Sequence, residues 1–158
     1  MKKCFLFLAV IFIVTLQLIW PGFLTFFNCK PDLLLVFAVS LVFYFDFKTA
    51  LIFAILTGFA KDIFLPSSFA INTVSFSIWV YLVYKLLRQI SSENDYVRLA
   101  IVLLVIFLNN IVTNLQILSL GNIVPMGIFL RNLIISSIYS AAVSPLIYKL
   151  IKKIGAGV

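Results

Sequence analysis

The side chains that could do chemistry are few and lie in otherwise apolar stretches. They are Lys61, Asp62, Arg131 and the amides Asn109, Asn110 and Asn114, with Thr113 and Gln116 beside them. A charge in an apolar medium is costly unless it is paired or faces a cavity, so such residues form ion pairs, relay protons or hold ions. Asp62 and Arg131 are expected at matching depth, which makes them a buried ion-pair candidate. Asp62 can equally be served by Lys61 or by water, and Lys61 can snorkel to the nearer interface. Asn110 and Asn114 share a helical face, as do Asn109 and Thr113. Amides in such a setting must be hydrogen-bonded. They line a polar pocket for a small ligand or bond between helices, with Asn72 as a candidate partner.

Other chemistry is missing from the sequence. There is no His and there are two Cys, which removes histidine metal sites and Ser-His or Cys-His catalysis. Cys4 and Cys29 fall at opposite ends of one expected helix, roughly 35–40 Å apart, too far for a disulfide. Asp32, Asp46 and Asp62 fall at alternate helix ends, which disfavours a catalytic carboxylate dyad. No phosphate-binding glycine loop is present. The expectation is therefore a protein that is not an enzyme and needs no cofactor or metal.

The composition fixes the setting of these residues. Of 158 residues, 64% are hydrophobic and 11% charged, and mean hydropathy is +1.22. A soluble fold of this length cannot bury so much apolar surface, and an exposed apolar shell aggregates. An all-α integral membrane protein is expected. The net charge of +7 does not indicate a nucleic-acid partner, because the basic residues sit at segment ends and form no patch. They are placed as membrane orientation requires.

Charges and breakers divide the chain into six expected helices, about 4–27, 32–46, 49–65, 69–88, 96–120 and 126–150, in a single domain covering 1–158. Met1-Lys2-Lys3 imitates a signal peptide, but the uncharged run that follows is too long for one and has no A-x-A site, so it reads as a retained first helix. Asp46-Phe47-Lys48 separates two short helices, because one long helix would bury those charges at the bilayer centre. Pro31-Asp32 suits a helix start. The run Leu65-Pro66-Ser67-Ser68 reads as a loop followed by an N-cap, and Ser92-Glu93-Asn94-Asp95 has capping-box spacing. Gly121-Asn122 and Pro125 mark the last turn. With the N-terminus cytoplasmic, the inner segments hold Lys2, Lys3, Lys48, Lys85, Arg88, Arg98, Lys149, Lys152 and Lys153, and the outer turns hold Lys30. That bias places both termini in the cytoplasm. Trp20 falls where an interfacial belt would put it, and Trp79 falls mid-helix.

Two stripes of small residues recur at four-residue spacing. Ala50, Ala54 and Gly58 lead to Asp62 on the third helix, and Asn132, Ser136, Ser140 and Ser144 lie on the sixth. Small residues let helices approach closely in lipid, so these are helix-packing or partner-contact candidates, with Asp62 on a packed face.

In order along the chain, several motifs resemble the MreD family of rod-shape-determining membrane proteins. Pro31-Asp32-Leu33-Leu34-Leu35 resembles its P-D-L-L opening of the second helix. Gly58-Phe59-Ala60-Lys61-Asp62-Ile63-Phe64 resembles its G-x-x-x-D run. Ser67-Ser68-Phe69-Ala70-Ile71-Asn72 resembles the S-x-x-G-x-N loop that follows, with Ala70 where the family has glycine. Pro31, Asp32, Gly58, Asp62 and Asn72 are thus the family-motif residues. The resemblance implies a six-helix transmembrane bundle like the substrate-binding subunits of energy-coupling-factor vitamin transporters. It also implies a non-enzymatic part of the bacterial cell-wall elongation machinery in the cytoplasmic membrane. The implied partner is an MreC-type protein, with indirect links to MreB filaments and to peptidoglycan synthases, a penicillin-binding protein and a RodA-type polymerase. The alternative from the same fold likeness is a vitamin-binding transporter subunit, for which the helix-5 amides would be the ligand site. A small multipass protein of another role is the third reading.

Overall fold

The computed structural model describes residues 2–19, 30–64, 70–89, 94–119 and 125–156. They form six helices and, among the described residues, no strand: α1 (Lys2–Leu18), α2 (Leu33–Leu41), α3 (Phe47–Phe64), α4 (Ile71–Leu87), α5 (Asp95–Ser119) and α6 (Met126–Ala156). Trp20, Cys29, the 65–68 loop, Ser92, Glu93, Gly121 and Asn122 lie outside the described residues. α5 over Asp95–Leu115 and α6 over Gly127–Ile154 are long and apolar enough to cross a membrane.

α2 is the axis of the bundle. It is apolar all round apart from Ser40, and a helix with no polar face belongs inside. All nine of its residues are buried, and it packs against each of the other five helices. It is shorter than the expected 32–46 helix, and its backbone continues as tight turns through Tyr44 and Phe45. Asp32 is the N-cap, its carboxylate accepting from Leu35 N at 3.3 Å. The acid therefore precedes the first turn rather than lying within it.

The surrounding helices bury one face each. α3 buries Ala50, Phe53, Ala54, Thr57 and Gly58, and α4 buries Asn72, Phe76, Val80 and Val83. α5 contributes Val102, Val105 and Ile106, and α6 contributes Ile147 and Ile151. The opposite faces stay apolar and exposed, with Phe5, Phe12, Phe59, Val74, Ile78, Leu104 and Ile138 pointing outward. Such a shell suits hydrocarbon and not water. α6 continues through Pro145. Proline cannot donate to the carbonyl of Ala141, and the Ser144 hydroxyl donates to that oxygen instead, at 2.8 Å.

Contacts between distant segments show that consecutive helices run in alternating directions. At one end, Tyr148 Oη donates to Arg98 O at 3.2 Å, Arg98 donates to Tyr44 Oη at 3.2 Å, and Phe47 stacks on Tyr84. At the other end α1 and α3 finish, and α2, α4 and α6 begin. The family-motif residues gather there.

Candidate functional site

Two polar clamps occupy the end where α2 and α4 start. The first holds the entry to α2. Gln17 on α1 grips the backbone on both sides of Asp32: its Nε2 donates to Pro31 O at 3.1 Å, and its Oε1 accepts from Leu33 N at 3.0 Å. From α6, Ser140 Oγ accepts from Asp32 N at 2.9 Å while donating to Ser136 O at 2.7 Å. Ser136 Oγ donates to Lys30 O at 3.3 Å. From α3, Lys61 donates to the Asp32 carboxylate, and its ammonium lies 5.2 Å from the centre of the Phe76 ring. Asp32 is thus a buried acid held by three helices. Lys61 is an ion-pair partner instead of a snorkelling side chain.

The second clamp holds the start of α4. Ala70, at its N-cap, has no side chain to offer, and Asp62 supplies the cap from α3. Its Oδ1 accepts from Asn72 N at 3.0 Å and Asn72 Nδ2 at 2.8 Å. Its Oδ2 accepts from Thr73 N at 2.9 Å and Thr73 Oγ1 at 2.6 Å. Four donors saturate the carboxylate, which also sits at the positive end of the α4 dipole. One turn earlier, Gly58 allows the approach. A Cβ there would meet Thr73 Cα at 2.6 Å and Asn72 O at 2.9 Å.

This geometry corrects the expected Asp62–Arg131 ion pair. Asp62 is occupied by Asn72 and Thr73, and Arg131 is exposed. It likewise reassigns Asn72, which bonds Asp62 and not the α5 amides. The stripe Ala50, Ala54 and Gly58 is buried against neighbouring helices of this chain, so it is used for internal packing and not left open to a partner. On the α6 stripe Ser140 and Ser144 are buried and Ser136 is half-buried, and the side chain of Asn132 lies outside the described residues.

Among the described residues the α5 amides bond to neighbouring helices and to α5 itself. Asn109 accepts from Trp79 Nε1 at 3.1 Å, Asn110 donates to Ser137 Oγ at 3.1 Å, and Asn114 donates to its own helix at Asn110 O, 2.8 Å. Asn109 thus ties α5 to α4, and Asn110 ties it to α6. Sequence reasoning missed Gln17, Thr73 and the Asp32–Lys61 pairing. Gln17 carried a signal, a lone amide in an apolar helix.

Two predictions arise directly. Asp62→Ala is expected to destabilise the protein by about 2 kcal/mol, the upper range for losing a helix cap with its charge-assisted bonds, and Asp62→Asn by about half that. Thermal unfolding in detergent measures the loss, and faster amide exchange at Asn72 and Thr73 locates it. Exchange unchanged at both amides contradicts the cap. Ala70 has φ 57° and ψ 7°, a left-handed conformation that costs a residue with a Cβ about 1–2 kcal/mol. Ala70→Gly relieves this, partly offset by the greater freedom of glycine in the unfolded chain. A net gain of about 0.5–1 kcal/mol is expected as a rise in melting temperature, and a fall contradicts it.

The arrangement defines a class: an all-helical bundle with a lipid-compatible exterior, whose polar residues clamp helix ends together. Comparison with protein families then gives a match to the model described as rod shape-determining protein MreD, over residues 1–154. The chain belongs to the MreD family, a membrane-associated family with a role in rod-shape determination that is not known as enzymatic. No curated protein and no solved structure matches the chain. Pro31, Asp32, Gly58, Asp62 and Asn72 of the family-like motifs all fall at the two clamps.

Proposed function

We propose that this chain is a membrane-embedded scaffold of the cell-wall elongation machinery. Its six helices lie in the cytoplasmic membrane with both termini inside, and it binds a single-span MreC-type partner. Through that partner it links MreB filaments to peptidoglycan synthases. The match of nearly the whole chain to the MreD family carries this reading. The skew of basic residues to one end supports the orientation. Because the small-residue stripes serve internal packing, the partner helix meets the outer apolar faces. Affinity purification of the tagged full-length protein from membranes, with mass spectrometry of its partners, is the test. The expected result is an MreC-type protein together with elongation synthases. Recovery of paired ATPases with a membrane coupling subunit overturns it.

A further inference from the structure

We propose that the cavity between α1, α2 and α3 holds the phosphate of an anionic phospholipid headgroup. It lies beside the α2 clamp and has a volume of about 290 Å³. That is the lower limit for ligand sites, enough for a phosphate and its glycerol but not for an acyl chain. Its walls combine apolar surface from Val14, Leu18, Leu34 and Phe64 with the cations Lys30 and Lys61. Gln17 also lines it, but both ends of that amide are already held by the α2 entry.

The charge balance selects an anion. Asp32 offsets Lys61, which leaves the charge of Lys30, an exposed residue with no ion pair among the described residues. Lys61 is fixed in place by Asp32 and by the Phe76 ring. An ammonium has three donors, so it can hold an anion while keeping Asp32. A phosphate between the two lysines neutralises the excess. The apolar wall then receives the carbon atoms that follow the phosphate, which a free phosphate lacks. Only the identity of the leaflet that supplies the lipid rests on the orientation proposed above.

The test uses full-length protein in detergent and native mass spectrometry with phosphatidylglycerol, phosphatidylcholine and inorganic phosphate. Phosphatidylglycerol should be retained over phosphatidylcholine. Lys30→Gln should weaken its retention by about fivefold, the share of one cation beside an anionic lipid, without changing the melting temperature. Leu18→Trp, which fills the cavity from an exposed position, should weaken it as well. Equal retention by wild type and both variants overturns the proposal. Displacement of the lipid by inorganic phosphate at comparable concentration also overturns it, in favour of a free-anion site. These ratios are read on the isolated protein, so they stand or fall separately from partner recovery.

Discussion

Gly58→Leu is expected to unseat α4 from α3 and to abolish partner recovery, because the bundle itself fails. Even a single carbon added at this position collides with backbone atoms of Thr73 and Asn72. Backbone in a helix start cannot swing aside as a side-chain tip can. Overpacking a tight core costs about 1–3 kcal/mol for small additions, and more when the backbone must move. Four added carbons should cost roughly 4 kcal/mol or more on that scale, and Gly58→Ala about 2 kcal/mol after the gain in helix propensity. Separation of α3 from α4 also pulls Asp62 away from the donors of Asn72 and Thr73, so the α4 cap is lost with the packing. Thermal unfolding in detergent should show the order wild type, Gly58→Ala, Gly58→Leu. Partner recovery should fall in step with stability. Lost recovery at unchanged stability would mean that Gly58 faces the partner and that the internal packing is incidental.

Lys61→Met should be nearly as damaging by a different route. It leaves the carboxylate of Asp32 with 9% side-chain exposure and no counter-charge. Removing one partner of a buried pair costs about 3–5 kcal/mol, mostly from the stranded charge. The second substitution Asp32→Asn removes that charge while keeping an acceptor for Leu35 N. The double variant should therefore recover more than half the loss. Additive losses, or a mild Lys61→Met, would show that the pair contributes little. The same cycle separates Lys61 from Asp62, its neighbour in sequence, whose partners are all on α4.

The helices were legible in the sequence because charges and breakers punctuate it, and α3, α4 and α5 begin within two residues of where those signals put them. The end of α2 was not legible, since Leu33–Leu41 runs into further apolar residues with no stop signal and its length is set by tertiary fit. The polar pairings were half legible. The stripe from Ala50 to Asp62 correctly puts Asp62 on the face toward a close neighbour. Depth alone then suggested Arg131, but depth says nothing about direction around a helix. Arg131 is nine residues from Ser140, about 180° around at 3.6 residues per turn, and Ser140 faces α2. The arginine therefore points outward. The Asp32–Lys61 contact spans 29 residues and leaves no local trace, as does the grip of Gln17 on a backbone segment 14 to 16 residues away.

The brevity of α2 has a consequence for how the protein is made. Nine residues of helix extend about 14 Å, less than half of a hydrocarbon core of roughly 30 Å. A segment of that length cannot be released into lipid as an independent unit during synthesis. Its N-terminal backbone is completed by Ser140, which is translated 108 residues after Asp32. If the bundle inserts into the membrane as proposed, the entry to α2 is completed only when α6 has emerged. Nascent chains truncated before α6 should be recognised and degraded as unassembled, whereas chains shortened after Ile151, the last buried core residue among the described residues, should survive.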